Sequence, residues 1–252
     1  MPAVTVKGIS LFYREAGAAG PRVVFVHGAG GSSRHWGLQV RDVGRVARCV
    51  ALDLPGHGRS GGSGCSTIPD YSALLVAFLD AIGWSSATVV GHSMGGAIAQ
   101  WTALHYPSRV ERLGLVGTGA KLRVHPDILN GLLAPDPTPT FYLIARWAYR
   151  TNVSDEEVER SVAELRATPA SVTYGDFLAC DRFDVRSQLG RIHQPTLVLT
   201  GQEDRLTPPR YAEYLAERIP GAVLRLVPHA GHFVMLEQPD AVTEALTAFL
   251  GV

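Results

Sequence analysis

Three cysteines, Cys49, Cys65 and Cys180, are all that this 252-residue chain carries, and no two are spaced as CxxC. An odd number without paired spacing points away from a disulfide framework and from a zinc knuckle, and fits a reducing compartment. Charge of one sign is also lacking, since 23 basic residues balance 23 acidic ones. Nothing here favours a polyanion, so neither nucleic acid nor an anionic membrane surface is an expected partner. No apolar run reaches membrane-spanning length, and the opening Met1-Pro2-Ala3-Val4-Thr5-Val6-Lys7 has no basic segment followed by a long apolar one. The expectation is a cytoplasmic protein, although a processed secreted form would read the same way. Coiled-coil heptads are missing too, which leaves a monomer and a small homo-oligomer both open.

What the chain does contain is alternation. Val4 to Lys7 and Ile9 to Glu15, separated by Gly8, read as an edge hairpin. Continuous apolar runs follow at Val23–Val26, Cys49–Leu52, Ala87–Val90, Leu113–Val116, Thr196–Leu199 and Val223–Val227, the signature of strands buried on both faces of a parallel sheet. Helical spacing lies between or after them at Tyr71–Ile82, Ile98–Tyr106, Tyr211–Ile219 and Ala241–Leu250. The fold class is therefore α/β, with ligands expected at the carboxyl ends of the strands. From about Ala120 to Gln194 the alternation stops; a Pro-rich patch, Pro135 to Pro139, precedes helical segments near Phe141–Tyr149 and Asp155–Leu165. This interval reads as a helical insertion above the sheet.

Gly91-His92-Ser93-Met94-Gly95 places a serine between glycines where an apolar strand hands over to a helix. The chain must reverse sharply there, leaving almost no room for side chains two residues to either side, and Gly91, Gly95 and Gly96 meet that demand. A serine hydroxyl is a weak nucleophile at neutral pH and needs a base, usually histidine, that an acid holds in the right tautomer. Loops after two later strands supply candidates: Glu203 or Asp204 in Gly201–Pro208, and His229 or His232 in Pro228–Phe233. An oxyanion also needs donors. The glycine-rich His27-Gly28-Ala29-Gly30-Gly31 follows the strand Val23–Val26, and the backbone N–H groups of Ala29 and Met94 are assigned to that task; a plain tight turn is the simpler reading of this loop.

Taken together with Asp53-Leu54-Pro55-Gly56-His57-Gly58-Arg59-Ser60 and Ala230-Gly231-His232, these motifs resemble those of serine hydrolases of the α/β-hydrolase superfamily, in its small capped carboxylesterase-like branch. The resemblance runs from near residue 23 to near residue 240. It implies a mostly parallel central sheet flanked by helices, with residues 1–120 and 195–252 as core and a helical cap at 121–194. It implies the catalytic set Ser93, Asp204 and His232, with the base immediately before the aromatic Phe233 rather than at His229. Asp204 is favoured further because Val116-Gly117-Thr118-Gly119, where some relatives carry the acid, has no carboxylate. Asp53 and His57 fall in a structural loop, no metal and no organic cofactor are implied, and the expected ligand is a small-molecule ester.

The expected activity is hydrolysis of carboxylic esters of small to medium apolar substrates through an acyl-enzyme. Relatives that cleave carbon–carbon bonds of dienoic ring-cleavage products place asparagine before the nucleophile and tryptophan after the histidine; His92 and Phe233 stand there instead. Arg123, Arg146 or Arg182 would pair a substrate carboxylate in that alternative, and an enol-lactone or a small-molecule sensor are further ones. Leu132, Leu133, Phe141, Tyr142, Trp147, Tyr149, Tyr174 and Phe177 make the insertion apolar and aromatic. Trp147, with Leu206 and Phe233 from the catalytic loops, is expected to line the substrate pocket. His27 and His92 are expected to pack beside the site, and His35, His105, His125 and His193 to lie at a surface or interface.

Overall fold

The computed structural model describes residues 2–252. β1 (Ala3–Val6) and β2 (Ile9–Ala16) form the hairpin, joined by Lys7 at φ 47° and Gly8 at φ 80°. Two successive positive φ values give the two-residue turn whose twist matches antiparallel strands, and Lys7 belongs to it rather than to a strand. β3 (Arg22–Val26), β4 (Arg48–Leu52), β5 (Ala87–His92), β6 (Val110–Val116), β7 (Thr196–Gly201) and β8 (Val223–Val227) complete an eight-stranded sheet of order β1-β2-β4-β3-β5-β6-β7-β8. Every pairing from β4 onward in that order is parallel. The order reverses between β3 and β5, so a crevice opens where the loops after those two strands diverge.

The central strands are buried over most of their length because both sheet faces are covered. On β3, Val24 and Val26 join the cluster under α2 (Ile68–Ala81), α3 (Met94–His105) and α8 (Pro209–Arg218), whereas Val23 and Phe25 join the cluster under α1 (Gly37–Val43) and α10 (Pro239–Leu250). That alternation is the period of two of a pleated strand. Leu246 and Leu250 follow Val242 at intervals of one helical turn and put one stripe of α10 into the second cluster. β8 departs from the expectation of burial on both faces. It is the sheet edge, and Val223 and Leu226 are 45% and 38% exposed.

Between β6 and β7 run α4 (Pro126–Leu132), α5 (Thr138–Ala148), α6 (Asp155–Ala167) and α7 (Ala170–Arg182). The periodicity marks α5 and α6 but not the other two. α6 starts with a capping box: Ser154 Oγ accepts from Glu157 N–H, and the Glu157 carboxylate accepts from Ser154 N–H. α4, α5 and α6 share a core of their own built from Ile128, Phe141, Ile144, Val162 and Leu165, while Ala179 and Cys180 of α7 pack into the main core. Most of the aromatic and leucine residues in this interval pack its helices; Leu133 is exposed and Tyr142 bonds Glu159. A four-residue helix, α9 (Val234–Glu237), follows the loop that carries His232. Among the described residues no helix is long and apolar enough to cross a membrane.

Candidate active site

Ser93 stands between β5 and α3 with φ 53° and ψ −116°, a conformation that an L-residue adopts only under constraint. Main-chain bonds supply the constraint. Ser93 N–H donates to Val116 O, while Ser93 O accepts from Gly96 N–H and from the Thr118 hydroxyl. Glycine is required on both sides of the turn, since a Cβ on Gly91 would overlap the Gly95 carbonyl and one on Gly95 would overlap Val26 O. Met94 is the first residue of α3, so its N–H is one of those a helix leaves without an internal acceptor.

β7 and β8 deliver the other two groups. Asp204 Oδ2 lies 2.9 Å from His232 Nδ1, and both side chains are buried. The Thr207 hydroxyl donates to Asp204 Oδ2 at 2.8 Å and lies 3.1 Å from His232 Nδ1, while Asp204 Oδ1 accepts from the N–H groups of Leu206 and Thr207. These bonds fix the carboxylate in place, and His232 Nδ1 faces only oxygen atoms. His232 Nδ1 therefore carries a proton toward Asp204, leaving Nε2 as the ring's acceptor. Glu203 turns away and accepts from Thr151 N–H; His229 is exposed. Thr207 was not singled out from the sequence, though Asp204 accepting from the N–H two residues on is the local Asx-turn pattern that brings it there.

His92 packs against His232, with ring centroids 4.6 Å apart. Its Nε2–H donates to the His232 carbonyl at 2.9 Å. Burial, reinforced by His232 nearby, holds the His92 pKa well below the ordinary histidine value, so the ring is neutral. His27 is also neutral, chiefly through burial: its Nε2 accepts from Leu54 N–H and its Nδ1–H donates to Gly28 O. Asp53 accepts from Ser33 N–H and Arg59 N–H and holds the loops together away from Ser93.

The His27–Gly31 loop is held by the inserted helices. Gly30 N–H donates to Asp176 Oδ2 on α7 at 2.8 Å, and the Thr168 hydroxyl donates to Gly30 O. Asp176 is completely buried and also accepts from His57 Nε2–H at 2.7 Å and from the Tyr71 hydroxyl at 2.5 Å. The other His57 nitrogen faces Pro55 O at 2.9 Å. Two oxygen acceptors call for two protons, and although burial favours the neutral ring, Asp176 outweighs it and raises the His57 pKa. His35, expected at a surface or interface, is buried, and its Nε2 lies 2.9 Å from Glu164 on α6. At the loop after β8, Ala148 O at the end of α5 accepts from His232 N–H and Phe233 N–H.

Removing Asp176 leaves one buried cation and two further donors without an acceptor. Asp176→Ala should lower unfolding free energy by about 3–5 kcal/mol near pH 6, measured by urea titration. The His57 proton is held more tightly in the folded state, so this contribution is present below the ordinary histidine pKa and is lost as pH rises through the raised one. The deficit of the variant should shrink with it; an equal deficit at pH 6 and pH 9 would show that His57 is not the charged partner.

Two cavities meet at Ser93. The larger, about 640 Å³, is lined by Ser93 and His232 with Trp147, Leu206, Arg123 and Tyr211 among its walls. The smaller, about 40 Å³, is lined by Ser93, His232, Ala29, Ile144, Leu165 and Phe233. Of the three arginines considered for a substrate carboxylate, Arg123 lines the large cavity, whereas Arg146 pairs with Asp155 on the surface. Arg182 is exposed and lines neither cavity. No cluster of three or more metal-binding side chains is present among the described residues.

Residues 21–239 match the family described as alpha/beta hydrolase fold. The chain belongs to that family. Among its relatives, this α/β-hydrolase is 30% identical to the dihydrolipoyllysine-residue acetyltransferase component of the acetoin cleaving system of Pseudomonas putida, over 95% of this chain and 66% of that longer protein. It is 28% identical to the pimeloyl-[acyl-carrier protein] methyl ester esterase of Pectobacterium carotovorum, over 95% of this chain and 98% of the relative. A solved thermophilic esterase superposes with a TM-score of 0.89 at 34% identity, covering 99% of this chain and 96% of the other.

Proposed function

We propose that this α/β-hydrolase cleaves carboxylic esters of small to medium apolar substrates through an acyl-enzyme, with residues 121–194 as a cap over a core of 1–120 and 195–252. Ser93 Oγ attacks the ester carbonyl as His232 Nε2 takes its proton, and the N–H groups of Ala29 and Met94 receive the negative oxygen. His232 then returns the proton to the departing alcohol. Water, deprotonated by the same nitrogen, attacks the acyl carbon; the proton returns to Ser93 and the acid leaves.

One observation carries the reading: a carboxylate held by several donors sits 2.9 Å from His232 Nδ1, and His232 shares its cavities with a serine on a strained strand-to-helix turn. The esterases among the similar proteins support the same bond class. Covalent labelling tests it. A fluorophosphonate should add once per chain, and peptide mass spectrometry should place the adduct on Ser93; an unlabelled protein, or a label elsewhere, would sink the mechanism. Trp147 and Leu206, with Phe233 on the smaller side, are the proposed substrate-lining residues.

A further inference from the structure

The two cavities at Ser93 differ in volume by more than tenfold, about 640 Å³ against about 40 Å³. Four residues line both of them, Ser93, His232, Phe177 and Leu206, so Phe177 and Leu206 stand at the divide above the proposed nucleophile and base. The larger lies in the range of sites that hold whole small molecules. The smaller falls far below the ~300 Å³ at which such sites begin and has room for only a few non-hydrogen atoms. Its boundary combines Ala29, one of the proposed oxyanion donors, with Ile144 and Leu165 from α5 and α6.

A tetrahedral intermediate on Ser93 presents three other substituents: the oxyanion, the acyl chain and the alcohol. The oxyanion is assigned to the Ala29 and Met94 amides. The alcohol has to leave, and the attacking water has to arrive beside His232 along the vacated path. A chamber this small, walled by Ile144 and Leu165, gives passage to neither, so the alcohol belongs to the large cavity. The acyl chain then faces the other side of the carbon, toward Ala29, Ile144 and Leu165.

We infer that this enzyme selects esters of a two-carbon acid with bulky, largely apolar alcohols, the acyl methyl filling the small chamber and the alcohol filling the large one. The inference rests on the ester-hydrolase reading and gives it a substrate class. Trp147, which lines only the large cavity of the two, then governs the alcohol and not the length of the acid. A rival use of the chamber is a fixed water, because His35 Nδ1 and His92 Nδ1 are buried without partners and both residues line it. That use would send the acyl chain into the large cavity and reverse the preference.

Two matched ester series decide between them: p-nitrophenyl acetate, butyrate and octanoate, which vary the acid, and methyl, hexyl and 2-naphthyl acetate, which vary the alcohol. Acetate should exceed butyrate in kcat/KM by at least tenfold and octanoate by more, while 2-naphthyl and hexyl acetate should exceed methyl acetate. Phe177→Ala, at a half-buried position on the divide, should raise butyrate to within threefold of acetate. Leu165→Ala should do the same from the far wall, which guards against either variant folding poorly. Trp147→Ala should shift the alcohol series and leave the acyl series unchanged. Ser93-dependent turnover that favours butyrate or octanoate over acetate overturns the partition alone. Turnover absent from every ester, or surviving in Ser93→Ala, overturns the ester-hydrolase reading and the partition with it.

Discussion

Ser93→Ala should lower turnover of p-nitrophenyl acetate by about a million-fold, the size of loss measured when another serine hydrolase is deprived of its nucleophile. The change removes one oxygen and little else. The bonds that hold the turn are made by the Ser93 N–H and carbonyl, and alanine keeps both. Its Cβ meets the same strain at φ 53° that serine already bears. The variant should therefore unfold at the same temperature as the parent and retain a small rate above water, because the oxyanion donors and the cavities are intact. Stopped assays and thermal melts on the same preparations check both halves; parent-like turnover in the variant would remove Ser93 from the mechanism.

Asp204→Asn should cost about ten-thousand-fold in kcat, the precedent for the same exchange in a serine protease triad, and the bonding around Asp204 gives the reason here. Oδ1 accepts from two backbone N–H groups, those of Leu206 and Thr207. An asparagine must turn its carbonyl oxygen toward them, since its NH₂ would meet two donors head-on. That orientation aims the NH₂ at His232 Nδ1. The imidazole is then driven to carry its proton on Nε2, where it can no longer accept one from Ser93. Raising the pH does not rescue a wrong tautomer, so the loss should persist across the pH profile. A defect of less than a hundred-fold would mean that Thr207, 3.1 Å from Nδ1, is sufficient to orient the ring.

How much of this was legible depended on the distance over which each residue makes its contacts. The turn at Ser93 is local: glycines within three positions, an apolar strand before it and a helix after it are written contiguously. The sheet was legible because strands buried on both faces spell continuous apolar runs. β8 lies at the edge, and Arg225 in the middle of Val223–Val227 is the one local sign that sets it apart from the central strands. α7 was missed for a different reason. Its buried side includes Thr173 and Asp176 beside Val172, Ala179 and Cys180, so polar residues interrupt the apolar stripe that periodicity relies on. α4 has only seven residues, too short for a period to repeat. Asp176 meets Gly30, His57 and Tyr71 across more than a hundred positions, and His35 meets Glu164 across 129. No window of sequence contains such pairs.

The Asp176 junction also limits how the inserted helices can be exchanged among relatives. A chimera that keeps this core and takes its upper helices from elsewhere would strand a charged imidazole at His57, the Tyr71 hydroxyl and the Gly30 amide, all facing a place where an acceptor used to be. Recombination at the natural seams after β6 and before β7 would therefore yield poorly folding hybrids unless the donor brings its own buried carboxylate to that position. The inserted helices are thus tied to the core through a carboxylate that lines neither cavity at Ser93.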